Sequence, residues 1–272
     1  VGSEMCIRDR LMEPLQPTLA EQGIETLVFV PDDVFRMIPI AALHDGKQFL
    51  IERYGIAVTP GLTITDPSPL QVRSATLLAG GITEAVQGFA ALPNVAAELA
   101  AVTAAQTGTT LVNDAFELES LRAELLKQPY RIVHLATHGE FGAEAKDNFV
   151  LTYRQRITLP QLQGLMGATK FRSEPVDILT LSACNTAAGD ARAALGLAGV
   201  AVQSGARSAL ATLWYVNDSA SSLLVQTFYE RLTQSASGKA QALRDAQLSL
   251  LAEPRFRHPG YWAPFLLIGN WI

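Results

Sequence analysis

The sequence predicts an α/β fold: a mainly parallel sheet with helices on both faces, preceded by a small N-terminal β-rich extension. Three observations carry this expectation. Apolar runs too continuous for half-exposed strands recur along the chain, as strands buried on both faces require. Amphipathic helical stretches alternate with them, as parallel crossover connections require. Apolar residues make up 49% of the 272-residue chain and charged ones only 17%, against about 25% charged in an average soluble domain. The interior is therefore large for the length.

At the start of the chain, residues 1–10, VGSEMCIRDR, lack the apolar core of a signal peptide. They look foreign to the rest of the sequence and resemble translated adaptor sequence from the edges of metagenomic assemblies. We expect an artefactual leader there, an accidental Cys6, and a longer natural protein upstream. Residues 23–73 read as strand-rich. TLVFVPDD (26–33) and FLIERYGIAV (49–58) are β-prone, separated by a turn-forming His44-Asp45-Gly46. Pro60, Gly61, Pro67 and Pro69 mark a loop, and a second rhythm occupies 74–272.

That second part opens with ATLLAGG (75–81), a buried strand. VAAELAAVTAAQ (95–106) is a helix with Pro93-Asn94 as its cap, TTLVND (109–114) a short strand and ELESLRAELLK (117–127) a helix. RIVHLATHG (131–139), VDILTLSAC (176–184) and RSALATLWYV (207–216) are three further strands. Two amphipathic helices, near 219–232 and 238–251, precede a last strand at PFLLIGNW (264–271).

Composition also excludes functions. A net charge of −5 leaves no electrostatic footprint for nucleic acid. No apolar run reaches the roughly 18 residues of a membrane span; the longest apolar stretch, Leu195 to Val216, is broken by Gln203, Ser204 and Arg207. Two unclustered cysteines, Cys6 and Cys184, suit neither a disulfide framework nor a zinc site. They fit a reducing, cytoplasmic compartment.

In open α/β sheets, reactive groups gather beyond the carboxyl ends of strands. Two strands end in such groups: RIVHLAT in His138-Gly139, and VDILTLSA in Cys184. If the strands are neighbours, imidazole and thiol meet. The thiolate is the nucleophile and a free thiol has a pKa of about 8.5, so cysteine needs a base beside it. The two residues are 46 apart with histidine first, close to the caspase spacing of about 50. A single cysteine at a strand end is more often a small buried hydrophobe; the pairing with His138 reverses that balance. His134 is the rival imidazole, but it lies inside the apolar run, where a hydrogen-bonded core role is expected. His44 sits in a turn and His258 in an Arg-Pro-rich loop, and neither has a thiol partner.

IVHLATHGEF, ILTLSACNTAAGD, GLAGVAVQSGARSALATLWYVND and HPGYWAPFLLIGNW together resemble the CHAT domain family, relatives of caspases and separase. VFVPDDVFRMIPIAALHDG and FLIERYGIAVTP resemble its N-terminal strands, so the likeness runs from about Gly23 to Ile272 in the family's order. The resemblance implies a caspase-like sheet, cysteine peptidase chemistry on a protein or peptide substrate without metal or cofactor, and frequent fusion to upstream tetratricopeptide repeats. The family's His-Gly falls on His138 and Gly139, and its Ser-Ala-Cys-x-Thr on Ser182 to Thr186. Backbone N–H groups of Gly139 and Cys184 are the expected oxyanion donors, since glycine beside the histidine lets substrate approach the main chain. No third catalytic residue is evident, and a backbone carbonyl is expected to orient His138 instead.

Relatives often carry two acids after the tryptophan of the next strand; this chain has Asn217 and Asp218. In separase-like relatives the matching aspartate lines the pocket for a basic side chain, so the resemblance makes the retained Asp218 the candidate for that role. The alternative is that Asp218 caps the helix beginning near Ser219. At the level of the whole chain, the rival is a catalytically silent caspase-like module for signalling or assembly. A nucleotide-binding protein would need GxxxxGK[ST] or GxGxxG, and a serine hydrolase GxSxG; all are absent.

Overall fold

The computed structural model describes residues 2–65, 68–70, 75–104, 106–141, 148–170, 175–186, 205–234 and 238–272, with residues 2–6, 34, 64, 141, 168–170 and 183–186 described by their backbone. The chain begins with helices α1 (Gly2–Met12) and α2 (Gln16–Glu21), then strands β1 (Thr26–Phe29), β2 (Gly55–Val58) and β3 (Leu77–Gly81). Helix α3 (Val95–Ala104), β4 (Gly108–Val112), α4 (Leu118–Lys127) and β5 (Ile132–Phe141) continue the alternation. β6 (Phe149–Leu151), β7 (Arg156–Thr158), α5 (Leu159–Lys170), β8 (Ile178–Thr186) and β9 (Ser208–Thr212) come next. Helices α6 (Asp218–Gln234) and α7 (Lys239–Ala252) and strand β10 (Phe265–Gly269) complete the described elements.

All the described strands join one sheet with the path β1-β2-β10-β9-β8-β5-β3-β4. Strands β4, β3, β5, β8 and β9 are parallel to one another. β1, β2 and β10 form a second parallel block, and β10 runs antiparallel to β9 at the junction. The strand-rich stretch after residue 23 thus extends the same sheet. Off the path, β6 and β7 form an antiparallel ribbon against the end of β5.

The layered core follows from side-chain alternation. Along β5, Ile132 and Ala136 belong to the cluster packed with α3, α6 and α7, whereas Val133 and Leu135 belong to the cluster packed with α4 and α5. Each such buried aliphatic side chain contributes about 1.5–3 kcal/mol over exposure. Close packing under the sheet explains one glycine directly: a Cβ on Gly80 would run into the ring of the fully buried Phe116, which precedes α4. At the chain start, Arg8 pairs with Asp45 at 3.6 Å and Met12 is buried. Among the described residues, no helix is long and apolar enough to cross a membrane.

Several expectations need correcting in detail. FLIERYGIAV is strand only at Gly55–Val58, because the Phe49 N–H donates to the Glu52 carboxylate at 2.5 Å and closes a helical turn over Leu50–Glu52. RSALATLWYV leaves the sheet after Thr212; Leu213 turns its N–H to the Pro264 carbonyl and Trp214 its indole N–H to that of Gly260. The β6–β7 ribbon was not anticipated, since each strand has only three residues. The Gly189 loop after Cys184 lies outside the described residues.

Candidate active site

Strands β5 and β8 are parallel neighbours, as the meeting of histidine and cysteine requires. The register runs from Ile132↔Ile178 to Ala136↔Ser182, then resumes at Gly139↔Cys184. Thr137 and His138 therefore face Ala183 alone, a β-bulge in β5. A bulge adds local twist and re-aims side chains, which is why such irregularities gather near active sites. Thr137 is buried, its hydroxyl donating to the Leu151 carbonyl at 2.9 Å, while His138 is partly exposed.

The His138 Nε2 lies 2.7 Å from the backbone carbonyl of Ala90. A carbonyl oxygen can only accept, so Nε2 carries the hydrogen and donates it. The neutral ring then offers Nδ1 as its basic nitrogen. The ring also packs on Phe89, with centroids 5.0 Å apart and planes at 33°. Phe89 meets Phe149 edge-on at 6.0 Å, and the Arg156 guanidinium covers both rings, 4.3 Å from Phe149 and 5.7 Å from Phe89. An imidazole bonded at one nitrogen to a carbonyl and stacked on an aromatic ring keeps one orientation.

The other imidazoles have different surroundings. His134 is fully buried, its Nε2 2.9 Å from Glu98 Oε1 and its ring edge-on to Tyr229 at 5.6 Å. Its Nδ1 has no partner among the described residues. Burial pushes the Tyr229 phenol far above the usual tyrosine range, and its hydroxyl pairs with Thr180 at 2.8 Å. His44 and His258 each accept a backbone N–H two residues on, from Gly46 at 2.9 Å and Gly260 at 3.1 Å. Both hold turns. Cys6 falls in α1.

Asp218 opens α6, beyond the carboxyl end of β9 and so at the same sheet edge as His138. The cap is its neighbour: Asn217 Oδ1 accepts the N–H groups of Ser219 and Ala220 at 3.1 and 3.3 Å. That corrects the helix-cap alternative for Asp218. Its own Oδ2 accepts from the Asn94 backbone N–H at 3.1 Å and from Asn94 Nδ2 at 2.6 Å. The Ala90 carbonyl, Phe89 and Arg156 carried no sequence signal as site residues. Asn94 was legible only as a helix cap, and it does occupy that position, its carbonyl accepting the Glu98 N–H at 2.9 Å.

A mainly parallel sheet between helical layers, with a His-Gly strand end beside a cysteine-bearing one, is the arrangement of a caspase-like α/β fold. The chain superposes on separase in the Saccharomyces cerevisiae separase–securin complex with a TM-score of 0.59 at 15% identity, over 91% of this chain and 16% of that one. It superposes on the pro- and mature domains of RgpB from Porphyromonas gingivalis with a TM-score of 0.58 at 8% identity, over 95% and 67%. For the Arg-specific cysteine proteinase gingipain R the TM-score is 0.50 at 9% identity, over 80% and 54%. The chain thus spans about half of gingipain R and a small part of separase. The chain belongs to the CHAT domain family, whose model matches residues 6–270. No curated protein matches it in sequence.

Proposed function

We propose that this chain is a cysteine endopeptidase that uses His138 and Cys184 as a dyad and prefers a basic residue before the scissile bond. The observation that carries the proposal is the register of β5 on β8, which pairs Cys184 with Gly139 immediately after the bulged His138. The hydrogen bond from His138 Nε2 to Ala90 supports it further, because it leaves Nδ1 as the base.

In the proposed reaction, His138 Nδ1 takes the thiol proton of Cys184 and the thiolate attacks the peptide carbonyl. The C–N bond breaks as His138 returns that proton to the leaving amine, and a thioester remains. Water, giving a proton to His138, then attacks the thioester; the proton passes to sulfur as the acid leaves. A positioned base of this kind supplies about 10²–10⁴-fold in rate. The oxyanion is assigned to the backbone N–H groups of Gly139 and Cys184. Gly139 pairs with both Cys184 and Val150, so a donor role asks its N–H to serve ladder and oxyanion together.

Asp218 is assigned to the pocket for the basic side chain. Its Oδ2 is held by Asn94, no described residue bonds Oδ1, and the shared fold includes an Arg-specific proteinase. The substrate is a protein or peptide, a tetratricopeptide-repeat region is the proposed upstream neighbour, and the cytoplasm the proposed compartment. A peptide-library cleavage profile of wild type beside Cys184→Ala tests the reading. We expect cuts after Arg and Lys that vanish in the variant; cuts that persist, or cuts after Asp, count against it.

A further inference from the structure

His138 and Asp218 arise from different strands, yet both are fastened to one short segment, residues 86–94. At its start Gln87 and Gly88 have φ of 51° and 85°, and the Phe89 N–H donates to the Val86 carbonyl at 2.9 Å. Two positive φ values in a two-residue loop are the mark of a type I′ turn. Gln87 Nε2 donates to the carbonyls of Thr152 at 2.8 Å and Tyr153 at 3.2 Å, which fixes the turn to the β6–β7 ribbon. Phe89 and Ala90 then hold the His138 ring.

At the other end, Asn94 gives both its N–H groups to Asp218 Oδ2 and reaches Ser219 Oγ at 3.3 Å, while Ser222 Oγ donates to the Asn94 carbonyl at 3.4 Å. Between the two ends, Leu92 is buried. Four residues of chain span at most about 14 Å, so Ala90 and Asn94 lie no farther apart than that.

We propose that Asn94 is a positioning residue which couples occupation of Asp218 by a cationic side chain to the orientation of His138. The inference rests on the peptidase reading above. A guanidinium binds a carboxylate through two parallel N–H···O bonds, so it engages Oδ2 as well as the free Oδ1. Asn94 holds that same Oδ2 with two bonds, so it must follow the carboxylate as the carboxylate turns to its ligand. The short link to Ala90 carries that adjustment to the carbonyl that orients the imidazole. A neutral substrate makes no such demand on Asp218 and leaves the coupling unused.

The test uses the full chain, with Asn94→Asp beside wild type. Asp is of equal size and caps a helix as well as Asn, but its side chain has no N–H to give to Asp218. The first readout is the ring ¹⁵N resonances of His138 on titration with benzamidine, a guanidinium analogue. They should move in wild type and stay still in the variant at saturation. The second is turnover: kcat for an Arg peptide should fall roughly tenfold or more, as small misplacements do, and by more than kcat for a neutral peptide. Equal ring responses in the two proteins, no response in wild type, or equal kcat losses on both peptides would overturn the coupling. A wild type without Cys184-dependent cleavage defeats the peptidase reading instead, and the ring titration then decides the coupling by itself.

Discussion

His134→Ala removes a fully buried imidazole, and its cost can be worked from what surrounds it. Buried Phe or Trp to Ala costs about 3–5 kcal/mol; the smaller imidazole, packed edge-on against Tyr229, scales to about 2–3 kcal/mol. Glu98, only 1% exposed, loses the imidazole partner of its Oε1 at 2.9 Å. Leaving such an acceptor unpaired adds about 1–3 kcal/mol. The sum is about 3–6 kcal/mol, a large share of the roughly 5–15 kcal/mol that holds a typical domain together. Urea unfolding at fixed pH measures it, and Tm should drop by about 6–24 °C, given about 2–4 °C per kcal/mol at this size. Glu98→Ala should share the loss, so the double variant should cost about 1–3 kcal/mol less than the sum. A His134→Ala protein within about 1 kcal/mol of wild type, or strictly additive losses, would refute this account of the buried pair.

Further outcomes are expected from the same contacts. Asp218→Asn should lower kcat/KM sharply for Arg peptides and leave neutral ones nearly unchanged, because the charge-assisted pair is lost while Asn217 still caps α6; equal losses would sink the pocket assignment. Gly80→Ala should destabilise by about 1–3 kcal/mol in denaturant titration, since the new methyl meets the buried Phe116 ring. Glu124 is held below the usual glutamate range chiefly by the Tyr130 hydroxyl, which donates to it at 2.6 Å. A depressed carboxyl stabilises above its unfolded value of about 4.3 and loses that contribution as pH falls through the folded one. Glu124→Gln should therefore flatten the acid limb of stability below about pH 4.5, and an unchanged limb would contradict the assignment.

The parallel block was legible in the sequence because its inner strands are apolar runs ending near turn residues, and burial on both faces admits little else. That RIVHLATHG and VDILTLSAC are neighbours was a condition of the site reading, and the β5–β8 register meets it. The antiparallel setting of β10 was not legible: PFLLIGNW reads the same in either direction, and only its position between β2 and β9 fixes it. The different settings of His134 and His138, one buried and one partly exposed, were legible from their places in the run, one inside it and one at its end. That a backbone carbonyl orients His138 was expected from the sequence; which carbonyl does so was not legible. A backbone carbonyl such as that of Ala90 has no side-chain identity, so its role comes from the turn at Gln87-Gly88 and the packing of Phe89. The bulge at Thr137-His138 was hidden for a related reason, since a register shift depends on the partner strand as much as on its own residues.

The central claim is that His138 makes Cys184 a nucleophile. Its most direct measurement is the rate at which a peptidyl electrophile alkylates the chain in a Cys6→Ser background, with the adduct located by mass spectrometry. The account predicts one adduct, on Cys184, formed about 100-fold or more slower in His138→Ala, with no adduct in Cys184→Ala. Alkylation of Cys184 at the same rate with and without His138 would contradict it.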